Sequence, residues 1–164
     1  MPTILTSTPV LCDSASLIAV SKMIEKLEGK IAEIAGLSVV VGVTAKSNAR
    51  SDELTNADLA MIHEFGSPAH NIPERSFLRK PLINNAEAVA NLAKTAIGKF
   101  IAGEIPLETA LGYVGEEAKS ISKEAITDGI TPALKPTTIK RKKSSKPLID
   151  TAQLLNSITY EVRK

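Results

Sequence analysis

The sequence predicts an α+β domain in which a small antiparallel sheet packs against several helices, with long exposed loops between them. Four stretches repeat apolar residues at three- and four-residue steps, as helices with one buried face do. Two short runs, LSVVVGVT and SITYEV, are rich in β-branched residues and read as strands. Polar, proline-rich stretches at 45–54 and 130–149 separate these elements.

In chain order, residues 1–12 form an N-terminal arm, because Pro9 interrupts an apolar run and suits an edge better than a central strand. Asp13 or Ser14 caps a helix from Ala15 to Ala35, with Leu17, Val20, Ile24, Leu27, Ile31 and Ile34 on one face and Gly36 as the stop. The strand Leu37 to Thr44 is nearly all apolar, so it is expected to be covered on both faces or central in its sheet. A polar surface loop follows to Leu54. Thr55 or Asn56 then caps a short helix with Asp58 in its first turn. Its apolar stripe is Leu59, Ala60, Ile62 and Phe65, with Ala57, Met61 and Glu64 to the other side.

Gly66 is expected to end that helix in a left-handed conformation, which costs a residue bearing a Cβ about 1 kcal/mol. Pro73, at a helical N1 position, opens a longer helix from Glu74 through Asn84 to Ile101, either kinked at Pro81 or with its first turn split off there, and closed by Gly103. Phe77, Leu78 and Leu82 face inward from it, and Arg75 and Arg79 share a face, either to pair with Glu64 or Glu74 or to point at a neighbouring subunit. Pro106 starts the next helix, whose seam of Leu107, Leu111, Val114, Ala118, Ile121 and Ala125 suits antiparallel packing on its predecessor, up to Gly129. Asp150 or Thr151 caps a brief helix at Ala152 to Leu155. The last strand, Ser157 to Val162, alternates Ile158, Tyr160 and Val162 against Thr159 and Glu161.

At 164 residues the chain suits a single domain that buries about two-thirds of its unfolded surface. Aromatic residues make up 3% and there is no Trp, so Ala, Leu, Ile and Val must build the core and the phenylalanines must anchor it. A net charge of +2 is too small to argue by itself for nucleic acid or an anionic membrane. The single Cys12 excludes an internal disulfide framework and fits a reducing cytosol. The N-terminus lacks the basic and apolar regions of a signal peptide, and no stretch approaches the ~20 apolar residues of a membrane span, so no membrane partner is expected.

Candidate chemistry is sparse. His63, Glu64 and His70 invite a zinc reading, but a zincin helix carries His at i and i+4, and here position 67 is Ser, beyond Gly66. With two histidines in the chain a three-histidine site is impossible; the alternative is that His63 and Glu64 make hydrogen bonds at the bend. Cys12 has no histidine nearby, and neither a nucleophile elbow nor a phosphate-binding glycine loop occurs. No catalytic residue, metal or cofactor is therefore expected. The run Lys140, Arg141, Lys142, Lys143 and Lys146 reads either as a solvated loop, or as a contact for DNA phosphates or for an acidic protein surface. Without interleaved aromatics, a DNA contact would be non-specific.

Two stretches carry a resemblance. The run IHEFGSPAHNIPERSFLRKPL, followed by KPLIDTAQLLNSITYEV, resembles the phage virion-morphogenesis proteins of the tail-completion and head-tail joining type, including relatives of the Mu virion-morphogenesis protein. Its hinge motif is carried by His63, Glu64, Phe65, Gly66, Ile72, Pro73, Arg75, Phe77 and Leu78. The C-terminal motif is carried by Pro147, Leu148, Asp150, Thr151, Leu154, Ser157 and Ile158. Ser76 stands where the family has proline, an exchange expected to loosen the start of the following helix, and Ala152 stands where it has glycine. The resemblance implies a non-enzymatic structural protein of a tailed phage or prophage, made in the host cytoplasm and built into the virion. It implies a ring of copies around the DNA channel, touching tail tube or connector and neck proteins. The alternatives are a neck or minor tail protein contacting the connector, and a DNA-binding accessory factor.

Overall fold

Capping residues and glycines place most helix ends. The structure is a computed structural model and describes residues 14–44, 54–133 and 153–164. Contacts divide the chain into two units, Met1–Ala35 and Gly36–Lys164. The described part of the first is one helix, α1 (Ser14–Ile34), none of whose residues is buried.

The second unit holds strand β1 (Ser38–Val43), helix α2 (Asn56–Phe65), a single 3-10 turn (Pro68–His70), helices α3 (Arg79–Asn84), α4 (Ala86–Ala102), α5 (Leu107–Asp128) and α6 (Gln153–Ser157), and strand β2 (Ile158–Arg163). This is the α+β arrangement the sequence predicts, a two-stranded antiparallel sheet among helices. Thr55 begins α2 with a full capping box: its hydroxyl accepts the Asp58 N–H, and the Asp58 carboxylate accepts the Thr55 N–H. The Thr55 hydroxyl and N–H hold the Asp58 carboxyl below its ordinary pKa. Gly103 closes α4 in the left-handed conformation, with its own N–H and that of Glu104 returning to Phe100 and Lys99. α5 then folds back on α4.

The long second helix is corrected. Residues 73–78 are not helical, α3 begins only at Arg79, and Asn85 separates it from α4. Pro73 therefore opens no helix. Pro81 falls in the first turn of α3, where its missing donor has no intrahelical partner to lose, so it ends up at a helix start instead of kinking a rod.

β1 and β2 pair in the register Ser38↔Arg163, Val41↔Tyr160 and Val43↔Ile158, which puts Val39, Val41 and Val43 on one face with Ile158, Tyr160 and Val162. That face meets α5. The other carries Ser38, Thr159, Glu161 and Arg163 with Val40, which is 36% exposed, so the expectation of a central strand covered on both faces does not hold. β1 has one partner strand among the described residues, and its apolar richness serves one packed face plus Val40.

Tyr160 fixes how the sheet sits on α5. Its ring lies against Gly115, where a Cβ would come within 2.2–2.6 Å of three ring carbons, and its hydroxyl is 3.5 Å from the Cβ position of Gly112. The two glycines, one helical turn apart, form a notch for the ring, over which the Lys119 ammonium stands at 5.8 Å.

The main core cluster is Ala60, Phe77, Ile126, Leu154 and Ile158. Phe77 and Phe100 are buried, but Phe65 is 62% exposed, so one of the three phenylalanines is not the anchor the composition called for. On α5 the buried positions are Ala110, Gly115, Ala118, Ile121, Ser122 and Ile126. They share only Ala118 and Ile121 with the expected seam, because the helix packs on both α4 and the sheet. The notch yields a prediction. Gly115→Ala should destabilise the fold by about 1–3 kcal/mol, the usual cost of overpacking, read as a lower denaturant midpoint at unchanged slope.

Candidate functional site

The bend between α2 and α3 holds the densest polar arrangement among the described residues, and it is built around one carboxylate. Glu64 lies in the last turn of α2 and is 5% exposed. One oxygen accepts the Ser76 hydroxyl at 2.5 Å and the Arg79 N–H at 3.1 Å; the other accepts the N–H groups of Phe77 at 2.9 Å and Leu78 at 3.0 Å. These donors are the orphan amides that precede and begin α3. A residue on one helix thus caps the start of another. The Ser76 hydroxyl completes the cap by accepting the Lys80 N–H at 2.9 Å.

This corrects two expectations. The sequence pattern places Glu64 away from the apolar stripe, yet it is buried while Phe65 points outward, since the carboxylate is needed inside by the amides of α3. Ser76, expected to loosen the following helix, ties it down: a hydroxyl both donates and accepts there, which proline cannot do.

The backbone of the bend is fixed as tightly. Gly66 has φ 74° and ψ 176°, a conformation restricted to glycine, and a Cβ would lie 2.8 Å from Glu74 N and 2.9 Å from Ile72 O. The true left-handed residue is Asn71, at φ 53° and ψ 34°. Ser67 and Ile72 exchange backbone hydrogen bonds of 2.8 and 3.0 Å around the Pro68–His70 turn, and the Ser67 hydroxyl sits 2.9 Å from His70 Nδ1. Pro73 is exposed. The Arg75 N–H returns to the His63 carbonyl at 2.7 Å.

Arg75 and Arg79 do not share a helical face, since Arg75 precedes α3. Buried Arg75 donates through Nε to the Pro132 carbonyl at 2.9 Å and through Nη2 to that of Ala133 at 3.5 Å. Burial lowers its pKa from the ordinary arginine value. Arg79 pairs with Glu74 at 2.9 Å, lies 3.7 Å from a Glu64 oxygen, and stands 5.6 Å over the Phe65 ring. Lys80 joins Glu74 at 3.1 Å.

The hinge motif and the described part of the C-terminal motif meet. Phe77 packs in one cluster with Leu154 and Ile158, flanked by Leu78, and the buried Ser157 hydroxyl donates to the Leu154 carbonyl. Pro147, Leu148, Asp150 and Thr151 lie outside the described residues, as do Ala152, Cys12 and the basic run Lys140, Arg141, Lys142, Lys143 and Lys146. Among the described residues no group of three or more His, Cys, Asp or Glu could hold a metal ion, and no helix is long and apolar enough to cross a membrane.

Two open apolar grooves flank β1. One, of about 430 Å³, lies between β1, α2 and α3, with Val41, Ala60, Met61, Phe65 and Leu82 in its lining. The other, of about 390 Å³, runs from Val39 and Val41 to Val89, Ala93 and Val114. Leu82 and Val41 line both. Glu64 and Arg79 of the bend also line the first groove. No match was found for this chain among protein families, curated proteins or solved structures. The grooves and the capped bend were not legible from periodicity, because a helical wheel cannot foresee that a glutamate caps a helix remote from its own.

Three outcomes follow. Phe77→Ala, at a site 0% exposed, should cost about 3–5 kcal/mol in denaturant unfolding. Glu64→Ala leaves buried amides without an acceptor and should cost about 3 kcal/mol or more in the same measurement. Burial alone would raise the Glu64 pKa, but the bonds from Ser76, Leu78, Arg79 and Phe77 outweigh it and leave it below the ordinary value of 4.5. Since the folded pKa is lowered, the carboxylate's contribution is complete above the ordinary value and disappears as pH falls through the folded one. Stability followed by urea unfolding should therefore decline at acid pH more steeply in the native protein than in Glu64→Gln.

Proposed function

We propose that this protein is a structural component of a tailed phage or prophage particle, acting in tail completion or head-tail joining through a ring of copies around the DNA channel. The observation that carries this reading is the meeting of the two motifs: Phe77 and Leu78 of the hinge pack with Leu154 and Ile158 of the C-terminal segment. Stretches that resemble one family in sequence thus form one structural unit here, as parts of a shared fold do. The polar groups of the bend support a structural role, because Glu64, Ser76 and Arg75 are each spent on holding backbone.

In a ring each copy repeats one heterologous contact, so closure supplies stability that a single small interface lacks. The groove beside β1, with Met61 at 64% and Phe65 at 62% exposure on its border, is the apolar surface of the second unit that a neighbouring copy would cover. Tail tube or connector and neck proteins are the outer partners in this reading, and the site of action is the virion after assembly in the host cytoplasm.

The five basic residues between 140 and 146 favour a second reading, an accessory factor that holds DNA phosphates without regard to sequence. Retention on duplex DNA that falls steeply with salt, and that is lost when Lys140, Arg141, Lys142 and Lys143 are neutralised, is its expected signature. For the first reading, particles assembled without this chain should accumulate as filled heads and separate tails in electron micrographs, and the purified protein should join them. Normal tailed particles formed without it would overturn the joining role.

A further inference from the structure

We draw no further inference here: the strongest candidate, the pair of apolar grooves along β1 that share Val41 and Leu82, carries nothing beyond the reading already proposed, because nothing in the structure shows which segment covers them.

Discussion

The second unit depends on a carboxylate that reaches from the end of one helix to the start of another. A helix start buried without acceptors leaves amide groups that cost about 1–3 kcal/mol each. The six-residue α3 has no side-chain cap of its own at Leu78. Glu64 provides that cap from α2 and so fixes the relation of the two helices on either side of the bend. Because the bonded amides include that of Phe77, the same contact sets the largest fully buried side chain in its place. Polar bonding and core packing are therefore one arrangement here, with Ala60 one turn before Glu64 on α2 in the same cluster.

Around this cap the bend is fixed by shape as well as by charge. Gly66 brings the chain so near Glu74 and Ile72 that any side chain would meet backbone, and Arg75 extends the restraint to the segment after α5 by bonding the carbonyls of Pro132 and Ala133. What looks like a hinge in the sequence is in the structure a clamp. The apolar surface left open in the second unit lies elsewhere, beside β1.

The elements that the sequence predicts best are those decided locally. The capping box of α2, the stop at Gly103 and the final strand all rest on residues within a few positions of one another. Fold class followed from these. What periodicity could not reach are the places where a distant partner overrides the local pattern. Residues 73–78 stay outside the helix because the amides of Arg75, Phe77 and Leu78 are claimed by His63 and Glu64, and the inward turn of Glu64 displaces Phe65 to the surface. The hydrogen bonds of Glu64 at the bend were open to the sequence as a possibility, but not their partners, since Ser76 and Glu64 act together only once the chain has folded back.

Tyr160 and its two glycines also bear on strand alignment. Side chains alternate along β2, so a slip of one residue against β1 would present Thr159 or Glu161 to α5 in place of the ring. Neither fills a cavity shaped to a phenol, and Glu161 would bring its charge against a helix. The cavity thus reads the alignment of the sheet from outside it: a two-stranded ribbon, too short to specify its own pairing strongly, is held in phase by the helix beneath it.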